Sequence, residues 1–270
     1  MYYSNIDKKN TNKSQDFLNY KNCNLKGTDR TFAILQIIGM SPSRIIDIKE
    51  KLNLPWATAH RAIKNLEKSN FLKFNFKTKR YEIGPEMWYI GSSYLFNNNL
   101  LNSSLKYLST ENKIKNVDIQ IVERIGNNSV VIHAEKKQRS KIPNAQYGFH
   151  LPLHAGSRGL ILLAFEKDEF IKDYMKLNLK KLTPETETNK VIIKRKIEEI
   201  KSKKLFFSVG DVQKNTASVA SPVFGEENQI IGCVCFVFFR RLYNDKLFLE
   251  NISEKIKKMT KKISLELKEN

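Results

Sequence analysis

The segment between residues 28 and 84 constrains the fold more than any other part of the chain. Residues 28–52 carry two short apolar stripes at helical spacing, and residues 55–68 carry a third after a three-residue break. From residue 71 to residue 83, apolar and polar side chains alternate on either side of a turn, which predicts a two-stranded hairpin. Helix, helix, short turn, helix and hairpin is the order of elements in a winged helix-turn-helix.

The third predicted helix has two faces of different chemistry. Ala59, Ile63 and Leu66 form an inward apolar stripe, whereas the opposite face offers hydrogen-bond donors. A helix that enters the major groove of DNA needs this division, and a basic hairpin beside it can contact the phosphates. An alternative for the tryptophan on this helix is that it packs against a neighbouring helix instead of touching a thymine methyl group. We predict DNA contacts from Trp56, Ala57, Thr58, Arg61, Lys64, Lys77, Lys79 and Arg80.

Positive charge is concentrated in the same segment. The chain has a formal net charge of +19, which points to an anionic partner such as nucleic acid or an acidic membrane surface. A lysine-rich composition also arises from AT-rich codons, so the position of the charges is more informative than their number. One acidic residue, Glu67, stands among the basic residues Arg61, Lys64, Lys68, Lys73, Lys77, Lys79 and Arg80. The alternative to DNA binding is a small helical subdomain with a solvated cationic face.

Changes of pattern along the chain define a domain plan. Residues 1–24 are polar and lack periodicity, which predicts a disordered leader. Residues 25–84 form the predicted winged helix-turn-helix, and residues 85–99 form a linker helix that ends in an asparagine run. Residues 100–270 form a second domain.

The second domain mixes strands and helices without the alternation of a parallel fold, which predicts an α+β domain with an antiparallel sheet. The predicted strands cover residues 119–122, 130–134, 149–153, 217–224 and 230–239. The predicted helices cover residues 158–165, 169–177 and 190–201, and a last helix carries an apolar stripe from Leu249 to Leu267.

From about Arg30 to its C-terminal end, the chain resembles the IclR family of bacterial transcription regulators. The strongest block is Leu-Pro-Trp-Ala-Thr-Ala-His-Arg at residues 54–61, which is similar to the recognition helix of that family. Further blocks are Tyr-Glu-Ile-Gly-Pro at 81–85, Leu-Pro-Leu-His-Ala at 151–155 with Leu-Leu-Ala at 162–164, Thr-Pro-Glu-Thr at 183–186 and Ala-Ser-Pro-Val-Phe at 220–224. The shared order of the blocks, more than any single one, carries the resemblance.

The resemblance implies a ligand-responsive regulator that binds a palindromic operator in double-stranded DNA as a dimer or tetramer. It also implies a C-terminal GAF-like domain for a small-molecule effector, usually an organic acid or an aromatic metabolite. The effector-binding positions of the family fall near Ser157, Arg158, Ser208, Asp211, Ser218 and Cys235. The chain departs from the family at Leu160 in place of lysine, at Asn215 in place of glycine and at Ser218 in place of cysteine.

The residues around Arg158 indicate the charge of the effector. Gly156 and Ser157 precede an apolar helix whose first N–H groups have no partner within the helix, so an anion can bind there. Arg158 places a cation at this helix start, where the helix dipole disfavours it unless an anion lies near. We therefore expect a small carboxylate as effector, with a solvent-facing Arg158 as the equal alternative.

The sequence contains no motif of a common enzyme or metal site. His150 and His154 are four residues apart, but Pro152 between them argues against the helical two-histidine metal motif. Neither a P-loop, a dinucleotide fingerprint nor a nucleophile elbow is present. We therefore expect no catalysis, no cofactor and no metal. The alternative function is a metabolite-binding enzyme or carrier with a basic docking module.

Cysteine and apolar content bear on the compartment. The three cysteines lack zinc-ligand spacing, and Cys233 and Cys235 share one face of a predicted strand, where they are poorly placed to bridge. The longest apolar run, residues 232–239, is far shorter than the ~20 residues that a membrane span needs. The sequence therefore predicts a cytoplasmic protein without a membrane partner.

Overall fold

In a computed structural model, the chain divides between Phe96 and Asn97 into two compact units. The structure describes residues 27–111, 114, 116–135 and 148–269. The predicted leader, residues 1–24, lies outside the described residues.

From residue 27 onward, the first unit has three helices, a hairpin and a fourth helix. They are α1 (Gly27–Met40), α2 (Ile45–Leu52), α3 (Trp56–Lys68), β1 (Leu72–Asn75), β2 (Arg80–Ile83) and α4 (Pro85–Phe96). The apolar stripes of α1, α2 and α3 meet in one core, where Ile34, Ile48 and Ile63 are fully buried. The predicted order of elements is observed, and the antiparallel pair β1 and β2 forms the wing.

Backbone contacts fix the wing to the rest of the first unit. Ser43 and Tyr81 exchange two backbone hydrogen bonds of 3.1 and 2.9 Å, which adds a short third segment to the hairpin. Gly84 closes the wing against Asn70, because a Cβ atom at Gly84 would lie 2.0 Å from the Asn70 carbonyl oxygen. The glycine of the block at residues 81–85 is therefore required by a close approach of two backbone segments.

The described residues of the second unit form a six-stranded sheet with helices on both faces. Its elements are α5 (Asn99–Glu111), β3 (Val117–Ile125), β4 (Asn128–Glu135), β5 (His150–Pro152), α6 (Gly156–Ala164), α7 (Asp168–Tyr174), α8 (Lys190–Lys203), β6 (Phe206–Val209), β7 (Thr216–Phe224), β8 (Ile230–Phe239), a 3₁₀ turn (Arg240–Asn244) and α9 (Lys246–Glu269). The strand order is β5, β4, β3, β8, β7, β6, and every neighbouring pair is antiparallel. The predicted α+β class with an antiparallel sheet is confirmed.

Strand β8 shows why its sequence is apolar almost without interruption. Side chains alternate between the two faces of a sheet, so Cys235 belongs to the core formed with α6, α7 and α8. Phe236 and Phe238 point to the other face, where Phe248 of α9 meets the Phe238 ring edge-on at 5.2 Å. The apolar run at residues 232–239 is thus the middle of a sheet that is covered on both faces. No helix in the described ranges is both long and apolar enough to cross a membrane.

Three elements of the second unit were not predicted from the sequence: α5, β6 and the 3₁₀ turn at Arg240–Asn244. Helix α5 begins in the asparagine run that was assigned to the linker, and its serines interrupt the apolar stripe to which Leu100 and Leu108 belong. Strand β6 has four residues, too few to establish an alternation. All five predicted strands are present, and the three predicted helices correspond to α6, α7 and α8. The ends of these elements differ from the predicted ones by at most three residues.

Buried His154 fixes the chain just before α6. Its backbone N–H and its Nδ1 lie 3.1 and 2.9 Å from the hydroxyl oxygen of Tyr174, and its Nε2 lies 2.9 Å from the carbonyl oxygen of Lys180. A carbonyl can only accept, so Nε2 carries the proton and Nδ1 accepts from the tyrosine hydroxyl. Burial lowers the pKa of His154 and raises the pKa of Tyr174 to about 12, which keeps both groups neutral.

This histidine should make the protein less stable in mild acid. The unfolded chain binds a proton at His154 near the usual pKa of about 6.5, whereas burial opposes protonation in the native chain. The unfolded state therefore binds more protons, and stability falls as the pH drops below that value, by at most about 1.4 kcal/mol per pH unit. We expect a shallower decline in His154→Gln than in the parent when urea unfolding of the full chain is followed at several pH values.

The control for this experiment is His150→Gln, which removes an exposed histidine four residues away. Its stability should decline with pH more steeply than that of His154→Gln. Equal slopes for His154→Gln and the parent would show that His154 does not carry the effect.

Candidate nucleic-acid interface and ligand cavity

Helix α3 presents a polar face to solvent. Its buried side is the predicted apolar stripe. The helix begins after Pro55, whose carbonyl oxygen accepts from the Thr58 and Ala59 N–H groups at 3.1 Å each. The Pro55 side chain caps no N–H group, so the backbone donors of Trp56 and Ala57 remain available to an anion. The predicted contact residues lie away from the buried side and are exposed, apart from a half-buried Thr58: Trp56, Ala57, Thr58, Arg61 and Lys64.

The donors of α3 lie on two flanks. Thr58 and Arg61 border a cleft of about 290 Å³ that α1 lines from the other side. Lys64 lies on the wing side, with its Nζ 2.7 Å from a carboxylate oxygen of Glu67 and 5.9 Å from the centroid of the Tyr81 ring. An exposed ion pair of this kind contributes little to stability, so Lys64 can exchange Glu67 for a phosphate.

Arg80 anchors the wing to α2. Its Nη1 donates to the carbonyl oxygen of Pro42 at 3.0 Å and lies 3.7 Å from a carboxylate oxygen of Asp47. A hydrogen bond from Arg44 lowers the pKa of Asp47 to about 2, so this carboxylate stays ionised and holds both arginines. Sequence analysis assigned Arg80 to the DNA backbone and missed this contact between distant parts of the chain.

The other two predicted wing residues, Lys77 and Lys79, are exposed in the turn between β1 and β2. Asn75 shapes this turn, because its Oδ1 accepts from the backbone N–H groups of Lys77 and Thr78 at 3.0 and 3.2 Å. The two ammonium groups are therefore carried at the tip of an ordered hairpin, where phosphates can reach them.

Trp56 packs differently from the alternative expectation. It is 52% exposed, and its ring stacks on His60 of the same helix with 5.9 Å between the ring centroids. The expectation of packing against a neighbouring helix is therefore wrong. His60 is also exposed and was not singled out from the sequence.

A cavity in the second unit collects four of the six predicted effector residues. Ser157 and Arg158 come from the first turn of α6, Ser218 from β7 and Cys235 from β8. The cavity holds about 50 Å³, well below the ~300–1,000 Å³ of most small-molecule sites. A ligand of more than a few atoms therefore requires the lining to move.

Ser208 and Asp211 are absent from the described residues that line this cavity. Ser208 lies opposite Ser218 in the register of β6 and β7. Burial raises the pKa of the Asp211 carboxyl, and a hydrogen bond from Ser208 opposes this effect. The carbonyl oxygen of Asp211 accepts from the Thr186 hydroxyl at 2.6 Å, which ties Asp211 to the block at residues 183–186.

Arg158 is buried, with 4% of its surface exposed, so the alternative of a solvent-facing arginine is wrong. Its Nη1 donates to Oε1 of Gln120 at 2.8 Å, and its guanidinium carbon lies 5.1 Å from the centroid of the Phe149 ring. Nε and Nη2 are buried and have no hydrogen-bond partner among the described residues. Burial lowers the pKa of Arg158 to about 10, which leaves the side chain charged at neutral pH.

The free edge of Arg158 matches a carboxylate. Nε and Nη2 lie on one edge of the planar guanidinium, and such an edge can hold both oxygens of a carboxylate. The same cavity receives the first turn of α6, where Ala155 at the N-cap offers no side-chain acceptor to the free N–H groups. Gly156 makes this turn possible with φ of +76°, since other residues rarely adopt that conformation. The cavity therefore concentrates donors around a buried positive charge.

Hydroxyl and thiol groups complete the polar lining. Ser157 Oγ lies 2.7 Å from Ser218 Oγ and 3.7 Å from Cys235 Sγ. Burial raises the pKa of Cys235, so the group is a thiol. Hydroxyls can donate or accept, which lets them meet the neutral polar part of a ligand. Within the described ranges, no three His, Cys, Asp or Glu side chains are grouped as a metal site requires.

Sequence analysis missed two residues that contact the Arg158 side chain. Gln120 belongs to β3, and Phe149 immediately precedes β5. The available signal for Gln120 was a polar residue inside the apolar strand predicted at residues 119–122, because a buried polar side chain needs a partner. No local pattern marks Phe149.

Residues 93–265 match the family model described as "Bacterial transcriptional regulator IclR C-terminal". A curated relative is the HTH-type transcriptional repressor AllR of Klebsiella pneumoniae, which is 26% identical over 211 residues, 76% of this chain and 77% of the relative. AllR of Escherichia coli strain K12 is 23% identical over 212 residues, with the same shares of both chains.

The fold is also similar to solved structures. The crystal structure of the Thermotoga maritima IclR has a TM-score of 0.70 and 24% identity, over 89% of this chain and 98% of that chain. The structure of an IclR homologue from Microbacterium hydrocarbonoxydans complexed with 4-hydroxybenzoate has a TM-score of 0.78 and 18% identity, over 89% and 98%. At these identities the likeness establishes the fold.

Replacing Arg158 and Gln120 together by apolar residues should stabilise the ligand-free protein. The variant Gln120→Leu/Arg158→Met removes a buried charge with two unpaired nitrogens, and it removes the partner of Nη1 at the same time. We expect the free energy of unfolding in urea to rise by about 1–3 kcal/mol.

The matched control is Arg124→Met. The Arg124 guanidinium also packs on an aromatic ring but already pairs with the carboxylate of Glu166, so its removal should not raise stability. A double variant less stable than the parent would contradict the unpaired state of Arg158.

Proposed function

Because the chain belongs to the IclR family of bacterial transcription regulators, we propose that it is a cytoplasmic regulator whose hold on a DNA operator responds to a small carboxylate. The observation that carries this proposal is the buried guanidinium of Arg158, which has a free edge in a cavity of the second unit. The first unit supplies an exposed cationic helix and wing. The proposed action is binding without a catalytic step.

The proposed operator contact combines reading and positioning. Residues 25–84 form the DNA-binding domain, in which α3 lies in the major groove. Arg61 and Lys64 then meet base edges or phosphates on the two flanks of α3, while Lys77 and Lys79 contact the backbone. This arrangement agrees with the names of the AllR relatives, which are HTH-type repressors.

The proposed active form is a dimer that reads a palindromic operator, and two dimers can pair as a tetramer. One recognition helix reads too few base pairs for a specific site, and a two-fold operator fits a two-fold protein. Residues 85–99 provide the linker, in which α4 has no buried residue. A second copy of the chain would cover its exposed apolar side chains: Trp88, Tyr89, Ile90, Tyr94 and Phe96.

The proposed effector is an organic acid held by residues 100–270. Its carboxylate receives two hydrogen bonds from Nε and Nη2 of Arg158 and further ones from the first turn of α6. The structural relative from Microbacterium hydrocarbonoxydans was crystallised with 4-hydroxybenzoate, which carries a carboxylate of this kind. A charged partner removes the cost of burying an unpaired guanidinium, so binding and stability are coupled.

The remaining predicted residues serve the rest of the ligand. Ser157, Ser218 and Cys235 line the cavity and contact the neutral polar atoms of the ligand. Ser208 and Asp211 lie beyond Ser218 on the β6 side, so they contact a ligand only when it opens the cavity in that direction.

Two substitutions should distinguish contacts that recognise the base sequence from contacts that hold the phosphate backbone. Arg61→Ala should weaken binding to a selected palindromic duplex by about 1–3 kcal/mol and relax its sequence preference. Lys79→Ala should weaken all sequences alike and lower the salt dependence of log K by about one unit. Fluorescence anisotropy at several salt concentrations measures both effects, and sedimentation should find two or four chains on the duplex.

The control is Lys172→Ala, which removes an exposed lysine from the second unit and should bind as the parent does. If Arg61→Ala and Lys79→Ala also bind as the parent does, the assignment of α3 and the wing is wrong.

Calorimetry with matched acid and amide pairs should test the effector. The parent should bind the acid of a pair at least tenfold more tightly than its amide, because the amide lacks the charge that pairs with the guanidinium. Arg158→Leu should lose this preference while its circular dichroism stays unchanged, and Arg124→Leu should keep it. Equal affinity of the parent for acid and amide across the panel would remove Arg158 from the site.

A further inference from the structure

The tip of the wing carries an aromatic side chain that is exposed to solvent. Phe76 is the first residue of the turn that joins β1 to β2, and 76% of it is exposed. Lys77 and Lys79 of the same turn are also exposed. An apolar ring flanked by two cations is suited to a partner that offers both negative charge and an apolar slot.

The turn that carries Phe76 is held in one conformation. Asn75 accepts backbone hydrogen bonds through its side chain from Lys77 and Thr78, and its own carbonyl oxygen accepts from the Lys79 N–H at 2.8 Å. Lys79 adopts a left-handed conformation with φ of +56°. The side-chain amide of Asn75 also donates to Glu82 on the opposite strand at 2.7 Å. Because the turn is preorganised, Phe76 can be presented at little entropic cost.

A row of rings connects Phe76 to the recognition helix. Phe76 packs edge-on against Phe74 at 5.1 Å between centroids, and Phe74 packs against Tyr81 at 5.0 Å. Tyr81 is buried, and its ring lies 5.9 Å from the Lys64 ammonium of α3. The rings therefore connect the tip of the wing to the flank of α3 that carries Lys64.

We propose that Phe76 inserts into the minor groove of the operator, next to the major groove that α3 occupies, and wedges against a base step. This inference rests on the proposed binding of DNA by the first unit. The minor groove is about 6 Å wide, and apolar side chains that enter it unstack a step and bend the duplex. Lys77 and Lys79 pair with the phosphates on the groove's edges, which places the ring between the strands.

The wedge confers sequence preference at positions that the wing does not read by hydrogen bonds. Pyrimidine–purine steps unstack more easily than other steps, so the operator should carry a TA or CA step at the point where the wing enters. Phe76 is thus a specificity-determining residue that acts through the deformability of the DNA.

The test uses the full chain and an operator selected with the parent protein. The operator is prepared with either a TA or a GC step at the wing position and with a donor and an acceptor dye at its ends. In the TA duplex, 2-aminopurine replaces the adenine of that step. For the parent we expect tighter binding to the TA duplex, a rise of 2-aminopurine fluorescence on binding and a shorter end-to-end distance.

Phe76→Ala should lose about tenfold in affinity for the TA duplex, together with the fluorescence rise and the bend. Its salt dependence should stay as in the parent, because no charge changes. Phe76→Leu keeps an apolar wedge and should retain most of the bend. Thr78→Ala, an exposed neighbour in the same turn, should behave as the parent, and circular dichroism confirms that each variant is folded.

Parental affinity and bend in Phe76→Ala would overturn the inference and leave Phe76 to a partner other than DNA. A loss of affinity without any change in bend or fluorescence would also overturn it, because Phe76 would then contact the backbone without entering the stack. If the parent selects no duplex at all, the proposed function fails instead, which separates the two outcomes.

Discussion

The second unit depends on a sheet that is buried on both faces. Helices α6, α7 and α8 cover one face and α9 packs on the other, so residues 232–236 of the central strand β8 are all buried. Burial of this extent is the main source of stability for such a unit. It also decides that any polar side chain on these strands or on α6 must find a partner inside the protein or leave part of its hydrogen-bonding capacity unused.

Within the described part of the chain, Arg158 is a buried polar side chain that lacks part of the hydrogen bonding it needs. Because Arg158 lies in the first turn of α6, its guanidinium is buried in the same interior. Gln120 accepts a hydrogen bond from one of its nitrogens, and the ring of Phe149 faces the cation. The remaining edge stays unpaired among the described residues. An unpaired buried cation is costly, and an anion that binds there removes the cost. An anion bound at the free edge of Arg158 would therefore raise the stability of the unit.

In the first unit, the short wing is held in place by contacts with other parts of the unit. Arg80 ties the wing to α2 through Pro42 and Asp47, and the backbone of Tyr81 pairs with Ser43. These contacts join segments that are far apart in the sequence. A wing held in this way is already ordered before it binds DNA, so binding costs little conformational entropy.

The sequence by itself determined the order of most helices and strands, because helical and strand periodicities are local properties of the chain. It did not reveal α5, whose apolar stripe is interrupted by serines, or β6, which has four residues. It also placed Ser157, Arg158, Ser218 and Cys235 together, through resemblance to a family. Only the tertiary structure decided that Arg158 points into the core, since a cation at a helix start can equally face water. The neighbours of a side chain in an antiparallel sheet depend on strand order and register, which no local pattern contains.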